Sequence, residues 1–150
     1  MADVHSEKQR SYNMSRIRGK NTSPELLVRK SLFRMGFRYR LHVKNLPGKP
    51  DLVFPKYKAV VFVNGCFWHY HNCTLFRLPA TRQQWWKKKL AGNRERDKNN
   101  IKKLVSEGWR VLVVWECCLK GNKKDPKAIE KIRKWLHSGK IFTEIKYTED

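Results

Sequence analysis

The sequence is short of acidic residues. It has 34 Lys and Arg but only 13 Asp and Glu among its 150 residues, which gives a formal net charge of +21. A positive field of this strength attracts polyanions, and nucleic acid is the first candidate. A membrane-surface protein is the alternative, but the sequence has no long basic amphipathic helix and no lipidation motif. The charge therefore favours a nucleic-acid-binding protein.

Long apolar runs are missing as well. No stretch is long enough to span a bilayer, and the polar, charged segment 1–20 is not a signal peptide. We therefore expect a soluble, cytoplasmic protein. Internal repeats and low-complexity linkers are also absent, and the hydrophobic fraction of 40% is that of a globular chain. This length suits one domain, which we assign to residues 22–150.

The segment 1–21 is rich in Ser, Arg, Lys and Asn and has little apolar periodicity. We interpret it as a basic N-terminal arm that becomes ordered on DNA. A solvated tail is the alternative interpretation.

Cysteine is scarce, but its placement is informative. Cys66, His71 and Cys73 follow the apolar, β-branched run Val60–Val63, which predicts a buried strand. Thiols and an imidazole this close together are zinc ligands, and a structural zinc site needs four of them. Cys117 and Cys118, after another apolar run, are the candidates for the fourth. The alternative is a set of free thiols, since an intracellular setting disfavours disulfides.

Aromatic side chains are crowded into two basic parts of the sequence. One group lies between the predicted metal ligands, and the other lies in a predicted helix that begins at Thr81 and carries Lys87–Lys89. Such side chains can unstack or stack on nucleic-acid bases. The alternatives are a small core around the metal and a core position for one tryptophan of the helix. The aromatic residues are Phe67, Trp68, Tyr70, Trp85 and Trp86.

His69 lies between the predicted metal ligands but is not needed for a four-ligand site. An imidazole can both accept and donate a proton, so His69 is available for proton transfer.

Hydrophobic periodicity predicts an α/β fold. Thr22–Glu25 has capping-box spacing, in which the Glu25 side chain would cap a helix that ends at Gly36. Alternation over Phe37–Val43 predicts a half-buried strand, and Pro50–Asp51 begins the next one. The apolar face of the first helix would consist of Leu26, Leu27, Leu32, Phe33 and Met35. The later elements would be a second helical face at Ile101–Val105, a strand over Trp109–Trp115, a helix over Ile129–Leu136, and a short edge strand or tail over Ile141–Asp150.

Several motifs together resemble the very short patch repair (Vsr) mismatch endonucleases. They include Pro50-Asp51 before the buried strand, Gly65-Cys66-Phe67-Trp68-His69 after it, and Trp115-Glu116-Cys117 downstream. The resemblance implies a restriction-endonuclease-like fold, with a mixed central β-sheet flanked by helices and a structural zinc site. It extends through nearly the whole chain to Asn13-Met14, Glu25, Pro79-Ala80-Thr81-Arg82, Asn93 and Glu95-Arg96-Asp97.

The resemblance also implies an activity. A bacterial enzyme of this family nicks DNA 5′ of the thymine in a T:G mismatch, in a magnesium-dependent hydrolysis that starts repair of deaminated 5-methylcytosine. The magnesium would be held by Asp51 and the main-chain carbonyl of Val63. His69 would take the proton from water, Asp97 would orient His69, and Glu25 would assist.

One position departs from the better-known members of this family. Asn64 stands where they carry a histidine near the scissile phosphate. An amide cannot shuttle a proton, so we expect slower turnover or a different pH dependence.

The resemblance also selects binding residues and partners. It selects Cys117 over Cys118 as the fourth ligand, so that the zinc ligands are Cys66, His71, Cys73 and Cys117. The arm 1–21 would clasp the duplex from the minor-groove side, the mismatch-repair protein MutL is an expected partner, and a monomer is enough to nick one strand. The DNA-contacting residues would be Met14, Phe67, Trp68, Trp86, Lys89 and Asn93.

Two other functions are compatible with the sequence. One is a restriction-type endonuclease that acts on matched DNA. The other is a zinc-stabilised DNA-binding module without catalysis, which is suggested by the absence of a carboxylate and a lysine at Val63 and Asn64.

Overall fold

The computed structural model describes residues 22–73, 76–119 and 125–146, in which a five-stranded sheet is flanked by three helices. Within these residues, no helix is both long and apolar enough to cross a membrane. In chain order the elements are α1 Ser23–Arg34, β1 Arg40–Leu41, β2 Leu52–Phe54, β3 Ala59–Asn64, α2 Gln83–Ser106, β4 Arg110–Trp115, α3 Ala128–Leu136 and β5 Phe142–Ile145.

The sheet is mixed, as the family resemblance implied. Its strands follow the order of the chain, from β1 to β5. The pairs β1–β2 and β2–β3 are antiparallel, whereas β3–β4 and β4–β5 are parallel. In this register Asn64 lies beside Trp115, so β3 and β4 end at the same edge of the sheet. The loops that follow these two strands therefore begin side by side.

Both faces of the sheet are covered, because successive side chains of a strand point to opposite faces. On one face, Val61 and Leu112 pack with Leu32 of α1 and Ile132 of α3. On the other face, Val60, Val111 and Val113 pack with Leu104 of α2. This double burial explains why β3 and β4 are continuous apolar runs rather than alternating ones.

The predicted strand over Phe37–Val43 is wrong in extent, since β1 contains only Arg40–Leu41. The Phe37 amide instead donates to the carbonyl of Leu32 at the end of α1, and its buried ring packs against Phe54. At the other end, His42 has a φ of 49°. That value lies outside the β region, so the strand ends before it.

Helix α1 begins as predicted, but it buries only part of the predicted face. Thr22 is the N-cap residue, and its hydroxyl accepts from the Glu25 amide at 3.4 Å. Leu32 of the predicted apolar face is buried as expected, but Leu27, Phe33 and Met35 are 42%, 52% and 46% exposed. The residues of α1 that are buried are Glu25, Val28 and Leu32.

The two helical segments predicted after Thr81 form one helix, α2, of 24 residues. It begins at Gln83 after Arg82, which has a φ of 56° and makes no side-chain cap hydrogen bond. The N-cap residue is therefore Arg82 rather than the predicted Thr81. After α3, Phe142–Ile145 forms the predicted edge strand and pairs in parallel with β4.

Candidate active site and metal centre

Two carboxylates and an imidazole meet beside the end of β3. Oε2 of Glu25 lies 2.9 Å from Nε2 of His42 and 3.1 Å from Nη1 of Arg29. Oδ2 of Asp51 accepts a 2.7 Å hydrogen bond from the Val63 amide. Donor atoms of Glu25, His42 and Asp51 lie within 4.8 Å of one another, so this cluster could hold a metal ion. The Glu25 carboxylate therefore points into the cluster.

The surroundings of Asp51 oppose its ionisation. Burial raises its pKa from 3.8 to about 7, and the neighbouring Glu25 adds to this rise. The hydrogen bond from the Val63 amide and the nearby His69 act in the opposite direction. Two neighbouring carboxylates that repel each other gain most from a cation between them. The donor set therefore fits a hard divalent cation.

His69 and Asp97 form a pair at the edge of this cluster. Nδ1 of His69 lies 2.5 Å from Oδ2 of Asp97, and the two side chains are 30% and 32% exposed. His69 comes from the loop after β3, whereas Asp97 comes from the middle of α2. Because Asp97 engages Nδ1, the Nε2 atom of His69 is the ring nitrogen left to exchange a proton. Asn64 is only 8% exposed and lines a cavity of about 300 Å³ together with this pair.

The four predicted zinc ligands converge. Cys66, His71, Cys73 and Cys117 bring their donor atoms within 4.8 Å of one another. Nδ1 of His71 lies 3.4 Å from the Cys66 sulfur and 3.8 Å from that of Cys117. Ligands 2.0 to 2.3 Å from a tetrahedral zinc ion lie about 3.5 Å apart, so the spacing fits such an ion. The two neighbouring thiols and burial raise the pKa of Cys66.

The metal loop, residues 66–73, carries three of the four candidate ligands and is held near both of its ends. The Cys66 amide donates a 3.0 Å hydrogen bond to Oε1 of Glu116, the residue before Cys117. The ring of His71 stacks on Trp115, with centroids 4.1 Å apart and planes 11° apart. The Trp-Glu-Cys motif at the end of β4 therefore supplies one candidate metal ligand and also fixes the loop that carries the other three.

Cys118 lies outside the metal cluster. It lies with Cys117 in a single 3-10 turn, Glu116–Cys118, rather than on a strand. Its thiol donates to the carbonyl of Trp115 at 3.1 Å, and burial raises its pKa to about 12. Cys118 is therefore a core residue.

The aromatic residues form one cluster next to the metal loop. The rings of Phe67, Trp68 and Trp86 are in mutual contact, with centroids 5.1 to 6.0 Å apart. All three are half-buried, and the neighbouring Trp85 is 46% exposed. The alternative that one tryptophan of the helix lies in the core is therefore wrong. An aromatic surface, rather than a sealed core, adjoins His69.

Helix α2 places two further predicted DNA-contacting residues on this side of the molecule. Asn93 donates a 3.1 Å hydrogen bond to the carbonyl of Trp68 and so supports the loop. Lys89 is exposed. Met14 and the arm 1–21 lie outside the described residues.

Two residues of the site were missed by reasoning from the sequence. His42 falls within the predicted strand over Phe37–Val43, and its place nine positions before Asp51 is the one sequence signal that could have suggested a metal ligand. Glu116 was recognised as part of a motif, but its hydrogen bond to Cys66 depends on the parallel pairing of β3 and β4. Nothing local in the sequence predicts that bond.

Known proteins resemble this chain over most of its length. Residues 2–75 match the family model described as DNA mismatch endonuclease Vsr. The chain is 44% identical over 138 residues to the DNA mismatch endonuclease Vsr of Escherichia coli (strain K12), which covers 91% of this chain and 88% of that protein. It is 50% identical over 117 residues to the type II nicking enzyme V.XorIIP of Xanthomonas oryzae pv. oryzae, and this match covers 78% of this chain and 86% of that protein. It is 48% identical over 120 residues to the type II nicking enzyme V.NmeAIP of Neisseria meningitidis, and this match covers 80% of this chain and 86% of that protein.

Fold, site and relatives together define a DNA endonuclease, a hydrolase with a restriction-endonuclease-like fold. The predicted enzyme class is therefore confirmed. Within that class, the chain belongs to the Vsr family of DNA mismatch endonucleases.

Proposed function

We propose that this enzyme nicks DNA 5′ of the thymine in a T:G mismatch and so initiates very short patch repair of deaminated 5-methylcytosine. One observation carries the proposal. The loop that holds Phe67 and Trp68 in the aromatic cluster also holds His69 against Asp97. Side chains suited to opening a base step are therefore rigidly connected to a histidine suited to proton transfer. Its mismatch endonuclease relative and its nicking relatives support the same activity.

Asp51 and the carbonyl of Val63 would hold magnesium, with Glu25 assisting. The ion would act as a Lewis acid that stabilises the negative charge gained by the phosphate in the transition state. The Val63 amide holds Asp51 through a 2.7 Å hydrogen bond, which fixes the carboxylate relative to β3. The zinc ion expected at the cysteine cluster would be structural, since four protein ligands leave no coordination position for a substrate.

His69 is the proposed general base. With the Nδ1 proton donated to Asp97, the lone pair of Nε2 accepts a proton from the attacking water. Asp97 also stabilises the imidazolium that results. Asn64 lines the same cavity but can only donate or accept a hydrogen bond, so His69 carries the proton transfer.

The aromatic cluster would select the substrate. Wedges inserted between base steps unstack them, and a mismatched step costs less to open than a paired one. The aromatic side chains of Phe67, Trp68 and Trp86 would thus recognise the mismatch by how easily its base step opens. The surrounding DNA would be contacted by Lys89, Asn93 and Met14 of the arm. A monomer is enough for a single nick, and MutL is the proposed protein partner.

Paired end-labelled duplexes that differ only in T:G against T:A test this proposal. We expect magnesium-dependent nicking of the T:G duplex alone, and its loss in both Asp51→Ala and His69→Ala. Equal cutting of both duplexes would favour a restriction-type enzyme. Tight, salt-sensitive binding of the T:G duplex without cutting would favour a DNA-binding module without catalysis.

A further inference from the structure

His42 has no role in the mechanism above, yet it lies against the carboxylates that are proposed to bind the metal. Its backbone amide donates a 3.2 Å hydrogen bond to the carbonyl of Asp51. Its φ of 49° turns the chain out of β1 at this point. The backbone of His42 is thus tied to the residue that bears the central carboxylate.

The geometry of the three side chains suits one shared ion. Adjacent ligands of an octahedral ion with bonds near 2.1 Å lie about 3 Å apart, and opposite ligands lie about 4 Å apart. Nε2 of His42 lies 2.9 Å from Oε2 of Glu25, and donor atoms of the whole cluster lie within 4.8 Å of one another. A shift of a few tenths of an ångström would bring all three into the coordination sphere of a single cation.

The donor set also has a chemical preference. Magnesium selects oxygen ligands, whereas an imidazole nitrogen suits manganese and the later divalent transition metals. We propose that His42 is a nitrogen ligand of the catalytic cation, so that this enzyme binds Mn²⁺ more tightly than Mg²⁺. The inference rests on the proposed role of Asp51 as a metal ligand.

A purely orienting role is the competing explanation. His42 would then only hold the Glu25 carboxylate, as Arg29 does from 3.1 Å. In that role the imidazole would never bond to the metal. Its replacement would then weaken Mn²⁺ and Mg²⁺ binding equally.

Electron paramagnetic resonance of Mn²⁺ bound to the full-length, zinc-loaded protein separates these explanations. We expect electron spin echo modulation from a directly coordinated ¹⁴N nucleus in the wild type and its loss in His42→Gln. Glutamine keeps a polar group near Glu25 but offers an oxygen ligand, so Mn²⁺ affinity should fall about tenfold with little change in Mg²⁺ affinity.

Two variants control for other sites. His69→Ala should retain the nitrogen signal, because His69 is not among the three proposed ligands. Asp51→Asn should abolish Mn²⁺ binding at this position. A nitrogen signal that survives His42→Gln, or an equal loss of affinity for both ions, would overturn the proposal.

This readout does not depend on the DNA substrate. If the enzyme failed to prefer T:G but kept the His42-dependent nitrogen signal, the proposed specificity would be wrong and the metal assignment would stand. If T:G nicking were retained without that signal, only the role of His42 would be wrong.

Discussion

Nδ1 of His69 and Oδ2 of Asp97 are 2.5 Å apart, although 28 positions separate the two residues in the chain. The pair forms only when the loop after β3 folds against α2. In the proposed mechanism it determines which nitrogen of His69 accepts the proton from water, so that step depends on the tertiary structure.

The first prediction concerns this pair. In Asp97→Asn the amide can donate to Nδ1, which moves the ring proton to Nε2 and blocks its use as a base. We expect the single-turnover cleavage rate to fall by about 10² to 10⁴-fold with DNA affinity unchanged. The control is Glu107→Gln, which removes an exposed negative charge at the C-cap of the same helix and should cleave at the wild-type rate. Equal rates for both variants would contradict the assignment.

The second prediction concerns the zinc centre. Cys73→Ala removes one of the four converging ligands, so the purified protein should lose its zinc and melt at a lower temperature. Binding to such sites contributes about 10 kcal/mol or more to folding. Elemental analysis and thermal denaturation measure both effects.

Cys118→Ala is the matched control for the zinc centre. It removes a buried thiol that lies outside the cluster, so it should cost about 1 kcal/mol of stability and leave the zinc content unchanged. Zinc loss in Cys118→Ala but not in Cys73→Ala would mean that the ligand set is wrong.

The third prediction follows from the raised pKa of Asp51. Between its unfolded value of 3.8 and its folded value of about 7, the folded protein binds more protons than the unfolded chain. The free energy of unfolding without magnesium should therefore fall as pH rises through this range.

Asp51→Asn removes this titration and keeps an oxygen that accepts from the Val63 amide. Without magnesium but with zinc bound, the variant should exceed the wild type in stability by about 2 to 4 kcal/mol at pH 8. The free energies of unfolding of the variant and the wild type should become equal near the lower end of this pH range. Urea denaturation over a pH series measures both. Identical pH dependence in the two proteins would exclude a strained carboxylate at position 51.

The fourth prediction compares adjacent tryptophans. Trp86 contacts both Phe67 and Trp68, whereas Trp85 contacts Trp86 and lies under Arg82. Trp86→Ala should weaken binding to a T:G duplex by about 1 to 3 kcal/mol, because base stacking is lost. Trp85→Ala should bind nearly as the wild type does.

A fluorescent base analogue beside the mismatch provides the measurement for these variants. Its emission should increase when the wild type or Trp85→Ala opens the step, and much less with Trp86→Ala. An equal increase with all three proteins would contradict the proposed wedge.

The convergence of the four candidate zinc ligands was predictable because three of them lie in one short segment after a strand. The fourth ligand was selected by family resemblance, and the structure explains why Cys118 is excluded. Both cysteines lie in a 3-10 turn, where Cys117 points to the cluster and Cys118 to the core. The residue spacing alone left this choice open.

Glu25 and His42 show where local reasoning fails. The capping-box spacing of Glu25 accounts for its backbone but not for its carboxylate, which α1 buries against residues far along the chain. His42 has no local motif at all. Its position depends on a left-handed backbone conformation that is uncommon for residues other than glycine and that alternation of apolar residues cannot indicate.

Mapping the cleavage site on a T:G duplex labelled differently on its two strands tests the central claim most directly. We predict one magnesium-dependent nick, in the thymine strand, at the bond 5′ of the mispaired thymine, and none in a T:A duplex of the same sequence. Cuts in both strands, or equal cutting of the matched duplex, would contradict the account.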